Sequence, residues 1–173
     1  MILIKQFFII LTTVLFLSST LYAAASGDGG TNNSRNDKIG KKLTDYKKAA
    51  AKIKKAKKLE KKGKTEKAQK YYKESFNFLL KANRKKPLDP DTLNYLGFVN
   101  RKLGNLEDAE IYYLLGLDQD PNHNGINEYL GELYIITKRV DKAKERLEVL
   151  KNCNCEEYDE LKGIIEGTKK SKY

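Results

Sequence analysis

Apolar side chains recur at steps of three and four through most of this chain, the interval that stacks them on one face of a helix. Leu43, Tyr46, Ala49, Ala50, Ile53, Ala56 and Leu59 form a first, Ala-rich stripe between about Lys41 and Lys62. Gly63 interrupts it, and Ala68, Tyr71, Tyr72, Phe76, Leu79 and Leu80 form a second stripe that should run to about Arg84, ahead of "PLDP" at 87–90. Leu93, Leu96, Phe98 and Val99 predict a third helix that ends at "KLGN", and Leu106, Ala109, Tyr112, Tyr113 and Leu117 a fourth that ends at "DQDP". The plan recurs with Ile126, Leu130, Leu133 and Tyr134, then the turn "TKRV", then Val140, Ala143, Leu147 and Leu150. A last short stretch holds Tyr158, Leu161, Ile164 and Ile165. Asn154 and Glu157 are spaced as a capping box for it, and acidic residues at 156–160 suit the positive end of a helix dipole. No run alternates with period two over β-branched residues, so the chain reads as all-α.

Two of these helical hairpins are written alike. "NYLG" at 94–97 returns as "EYLG" at 128–131, 34 residues on, and Pro87 and Pro121 keep the same interval. Overlaying 90–121 on 124–155 sets Leu96 on Leu130, Gly97 on Gly131 and Ala109 on Ala143. A fixed period of this length marks a unit that stacks on copies of itself, because one hairpin cannot bury its apolar face alone. The Leu-Gly pair buries a large side chain and leaves no bulk where the partner helix crosses. A proline removes a backbone donor where a pair must end.

The recurring positions resemble the tetratricopeptide repeat family, whose pattern is W-x₂-L-G-x₂-Y followed by a turn glycine, a small residue, an aromatic and a proline. In 90–121 the matching residues are Leu93 (for the tryptophan), Leu96, Gly97, Gly104, Ala109, Tyr113, Leu117 and Pro121, with Asn100 in the usual Tyr position and Gly116 in the usual Ala position. In 124–155 they are Leu130, Gly131, Tyr134, Ala143 and Leu147, while Lys138 replaces the turn glycine and no closing proline follows. Leu59, Gly63, Ala68, Tyr72 and Pro87 fit a degenerate upstream unit, whose second helix must be about two turns longer than usual. The resemblance implies a short right-handed α-solenoid. It would comprise a basic hairpin over 41–88, repeats over 89–122 and 123–153, and a capping helix over 154–169. It also implies a non-catalytic scaffold that binds a partner peptide or helix in a concave groove lined by the first helix of each pair. By helical spacing that face would present Asn94, Tyr95, Phe98, Arg101 and Lys102, then Glu128, Tyr129, Glu132 and Ile135.

The ends change the setting. "MILIKQFFIILTTVLFLSSTLYAAAS" carries one charge at Lys5, an apolar run over 7–17 and small residues at the end, the order of a secretory signal peptide. Cleavage is expected after Ala25, or else Ala23, with export most simply to a periplasm. Residues 26–40, opening "SGDGGTNNSRND", lack the apolar content to fold and read as a flexible leader.

Charge is divided along the chain. Residues 38–86 hold 20 Lys and Arg against four acids, so the formal net charge of +11 conceals a basic front and an acidic back. The front suits an acidic partner or an anionic surface. Nucleic acid is disfavoured by export and by the lack of aromatics interleaved with the lysines. An alternative function therefore rests on 38–86 as a polyanion- or membrane-surface-binding segment. Another rests on Cys153 and Cys155. Two residues apart, they are spaced for neither a zinc half-site nor a catalytic C-x-x-C. A disulfide pinning the cap, free or intermolecular thiols, and redox or metal work all remain open for them. His123, the only histidine, lies in an Asn/Gly/Pro turn without triad partners, and the chain has no phosphate loop or metal pair. No catalytic set and no cofactor are expected.

Overall fold

The computed structural model describes residues 43–171. The expected signal segment 1–25 and the leader 26–40 lie outside the described residues. Seven helices follow one another: α1 (Asp45–Glu60), α2 (Thr65–Lys85), α3 (Pro90–Lys102), α4 (Leu106–Gln119), α5 (Asn124–Ile136), α6 (Val140–Leu150) and α7 (Glu156–Ile165). No strand occurs among the described residues. At 21 residues, α2 is two turns longer than the 14-residue α4, as the spacing of Gly63 and Gly104 requires.

Local chemistry sets the helix starts. Thr44 accepts the Lys47 N–H at α1, and Asp89 accepts the Thr92 N–H at α3, where Pro90 takes the first turn. At α5 the cap is His123, whose Nδ1 accepts from Ile126 N at 3.2 Å. The last helix departs from expectation. Its N-cap is Cys155 without a side-chain cap bond, and Asn154 stands one residue earlier at φ 48°. A left-handed Asn154 spends its side chain outside the helix, so no capping box forms with Glu157.

The three hairpin turns share one geometry. Gly63, Gly104 and Lys138 each adopt positive φ, at 67°, 87° and 62°. The next residue's N–H then reaches back five positions: Lys64 to Leu59 O, Asn105 to Asn100 O and Arg139 to Tyr134 O. That is the bond pattern of a left-handed helix terminus, which glycine adopts without steric cost and lysine does not. Lys138→Gly is therefore expected to stabilise the fold by about 0.5–1 kcal/mol, read as a raised midpoint in denaturant at unchanged slope.

The helices form a stack of pairs. α1 packs on α2, α3 on α4 and α5 on α6, and each pair meets the next in sequence through α2–α3, α4–α5 and α6–α7. The first helices also touch one another, α1 with α3, α3 with α5 and α5 with α7, whereas α2 does not reach α4, nor α4 reach α6. Elements on the inside of a curve crowd and those on the outside spread. The first helices therefore line the concave side of an all-α helical repeat solenoid.

Glycine sets how closely neighbours approach. A Cβ on Gly97 would stand 2.6 Å from Cδ1 and 2.8 Å from Cζ of Tyr113, and one on Gly131 would stand 2.5 Å from Leu161 Cδ2. The two recurring glycines thus admit different partners: α4 of the same repeat in one case, the capping helix α7 in the other. The core runs from Ala49, Ile53 and Ala56 through Tyr72, Leu96 and Phe98 to Tyr113, Leu130 and Ala143. Tyr129 packs against both halves of it. The thin alanine stripe of α1 lets α2 come close enough for Ser75 Oγ to donate to Ala49 O at 3.1 Å.

Candidate functional site: the concave face

Tyrosines from three successive first helices share the concave side. Tyr46 of α1 stacks on Tyr95 of α3 with ring centroids 5.5 Å apart, and Tyr129 of α5 lies 5.3 Å from Phe98. Two clefts open here and share Tyr95 as a common wall. One, of about 360 Å³, is lined by Ala50, Ile53 and the α1 lysines Lys54, Lys57, Lys58 and Lys61. The other, of about 470 Å³, is lined by Asn94, Tyr129 and the carboxylates of Asp91, Asp120, Glu128 and Glu157. A basic wall and an acidic wall thus meet across one aromatic ring.

The expected groove residues divide. Tyr95 and Tyr129 are partly exposed, and Asn94 and Glu128, though mostly buried, line the acidic cleft. Phe98, Arg101 and Glu132 are buried, which corrects their placement as partner contacts. Lys57 explains part of this, because its ammonium sits 4.4 Å from the Phe98 ring centroid and roofs it. Arg101 turns inward: Nη1 donates to Tyr129 O at 2.8 Å and lies 3.7 Å from Glu132 Oε2. The C-terminal segment covers Glu132, whose Oε2 accepts from Ser171 Oγ at 2.8 Å. Lys102 is largely buried against α1 and α2. Its Nζ lies 3.0 Å from Glu60 Oε2, which also accepts from Tyr72 OH at 2.8 Å. Burial and the Glu60 bond both push the Tyr72 phenol above its ordinary range, so it remains a donor. Ile135 packs against the second half of the core.

Helical spacing alone missed Tyr46, the α1 lysine edge, and Asp91, Asp120 and Glu157. The loops "PLDPD" and "DQDPNHNG" carried a signal for two of these, since the residues just before a first helix stand at the mouth of the groove. His123 belongs to the same mouth, with Nε2 3.2 Å from Asp91 Oδ1.

The remaining positions are structural. Leu96, Leu130, Ala109 and Ala143 are fully buried, Gly97 and Gly131 take the crossings described above, Gly104 makes its turn, and Pro121 lies in the loop before α5. Gly116 has a reason of its own, because a Cβ there would stand 2.5 Å from Ile126 Cδ1 of the next repeat. Cys153 and Cys155 are joined as a disulfide across the turn between α6 and α7, with Cα atoms 5.2 Å apart. Among the described residues no group of three or more His, Cys, Asp or Glu is placed to hold a metal, and no helix is long and apolar enough to cross a membrane.

No family model matches the chain. A stretch of 61 residues is 38% identical to part of a TPR repeat-containing protein of Pseudomonas aeruginosa, covering 35% of this chain and 10% of that protein. Over that stretch the chain is similar to a tetratricopeptide repeat protein. It spans about one tenth of that relative's length. Among solved structures, a tetratricopeptide repeat protein from Parabacteroides merdae overlaps 69% of this chain and 59% of its own, at 17% identity and a TM-score of 0.49. The first TPR of Spaghetti (RPAP3), bound to the HSP90 peptide SRMEEVD, overlaps 71% of this chain and 94% of its own, at 21% identity and a TM-score of 0.45. At such scores the likeness says nothing of a shared ligand. The aromatic row and the two charged walls lie on the side lined by α1, α3 and α5.

Proposed function

We propose that this protein is a non-catalytic protein-interaction scaffold that holds an extended or helical segment of a partner along the concave face of α1, α3 and α5. One observation carries the reading: Tyr95 is the shared wall of a basic and an acidic cleft, so a single bound segment meets aromatic surface and both signs of charge. Tyrosine supplies large contact area at low entropic cost, which is why it recurs at interface hot spots. Opposed charge walls favour one orientation of the bound segment and speed encounter more than they add affinity. We also propose that residues 1–25 direct export, which would place this scaffold in a periplasm, where a Cys153–Cys155 disulfide persists.

The test is partner recovery from the exported fraction, at low and high salt, with the native chain and with Tyr95→Ala. Tyr95→Ala is expected to weaken retention of a recovered partner by roughly 30-fold, the size of a hot-spot loss, with circular dichroism unchanged. Recovery unaffected by the substitution contradicts the reading.

A second reading rests on the exposed lysines Lys54, Lys58 and Lys61 along one edge of α1, which suit an anionic polymer or lipid surface. Retention on heparin that Tyr95→Ala leaves intact, joined to absence of any protein partner, would favour it.

A further inference from the structure

The acidic cleft has a narrower chemistry than a general peptide groove. It lies between the start of α3, the loop before α5 and the start of α7, and its volume of about 470 Å³ exceeds that of a single amino-acid side chain. Asp91, Asp120 and Glu157 border it, and Tyr95 and Tyr129 line it. Asn94 stands at the floor of the same cleft. This residue is nine-tenths buried, lines the cleft, and its Oδ1 has no hydrogen-bond partner among the described residues. A buried carbonyl oxygen left without a donor is costly to the fold, and a ligand N–H that reached it would remove that cost. The one residue lining the cleft that can take up a proton to become cationic is His123, and both of its ring nitrogens already face partners, Ile126 N and Asp91 Oδ1.

Carboxylates, a waiting amide carbonyl and aromatic faces are together the complement of a planar cation. We propose that this cleft is a receptor for an arginine side chain of the bound partner segment. Its guanidinium would donate to Asn94 Oδ1 and to the rim carboxylates while lying against Tyr95 or Tyr129. Arginine fits better than lysine because it offers five donors in a fixed plane, stacks on aromatic rings and gives up its hydration more readily. The adjoining lysine cleft, across Tyr95, takes the partner's acidic residues. The partner motif is therefore an arginine followed or preceded by carboxylates. This inference rests on the concave-face reading and deepens it.

The test uses the full chain, ¹⁵N-labelled, titrated with Nα-acetyl-arginine methylamide and, in separate arms, with the lysine, glutamate and norleucine analogues. The arginine probe is expected to shift the Asn94 side-chain amide and the Gly125 backbone amide and to saturate. The lysine probe should bind more weakly, and the glutamate and norleucine probes should leave these signals in place. Asp91→Asn with Glu157→Gln should weaken arginine binding at least fivefold while the rest of the spectrum is retained. Equal shifts from the glutamate or norleucine probe, no shift with arginine, or an affinity unchanged in the double variant would each overturn the proposal. Failure of the broader reading looks different. If a captured protein partner is not displaced by the arginine probe and tolerates Asp91→Asn with Glu157→Gln, the arginine receptor fails and the scaffold stands. If arginine binds as expected and Tyr95→Ala leaves partner retention untouched, the scaffold reading fails and the receptor stands.

Discussion

Tyr113→Ala is expected to cost about 3–5 kcal/mol of stability, and Tyr113→Phe nothing. Tyr113 is fully buried, and its ring fills the notch that Gly97 leaves in α3. Truncation to alanine opens a cavity between the two helices of the clearest repeat, bordered by a glycine that has no side chain to collapse into it. The hydroxyl is a separate matter. Its oxygen is buried without a hydrogen-bond partner among the described residues, and burial pushes the phenol well above its ordinary titration range, so it remains neutral. Removing only that oxygen relieves a desolvation cost, and Tyr113→Phe should match or exceed the native chain by up to about 1 kcal/mol. Equilibrium unfolding in urea reads both, with the slope checked for constancy. A loss below about 1 kcal/mol for Tyr113→Ala would show that this ring is not the wedge between α3 and α4.

Arg101→Met should be as damaging for the opposite reason. Arg101 and Glu132 are buried 3.7 Å apart, on α3 and α5, so the pair spans the joint between consecutive repeats. Charges taken out of water gain less from each other than they lose in hydration, but removing one of them strands the other. The single substitution is expected to cost about 3–5 kcal/mol, because Glu132 keeps the Ser171 hydroxyl but loses its cation. Adding Glu132→Met removes the stranded charge and should return most of the loss. A double-mutant cycle in denaturant gives the coupling directly. Losses at Arg101 and Glu132 that simply add would mean that the two side chains do not act as a pair.

Several features of the fold could be read from the sequence because they are local or periodic. The steps of three and four located all seven helices within a few residues, and the 34-residue interval located the stacking. The excess length of α2 followed from two glycines. The failures are non-local. Asn154 and Glu157 have capping-box spacing, yet the turn that joins Cys153 to Cys155 carries Asn154 into a left-handed conformation and leaves Cys155 as the cap. Helical spacing put Phe98, Arg101, Lys102 and Glu132 on the inner face. It could not show that Lys57 would roof Phe98, that Ser171 would return to Glu132, or that Lys102 would reach Glu60. Those are meetings between residues 39 or more positions apart, about which a period carries no information. Asp120 and Asp91 escaped notice because they sit in or beside loops, where the helix period does not apply, although a loop at the mouth of a groove is where a ligand first arrives.

Site-specific photocrosslinking tests the central claim most directly. A benzophenone amino acid is placed at position 95 on the concave face or at position 115, whose native leucine is exposed on α4, a second helix. The protein is irradiated in its own cells and adducts are identified by mass. The account predicts partner adducts from position 95 and none from position 115. Adducts from position 115 with none from position 95 would mean that the partner binds the other side, and the concave face would lose its role.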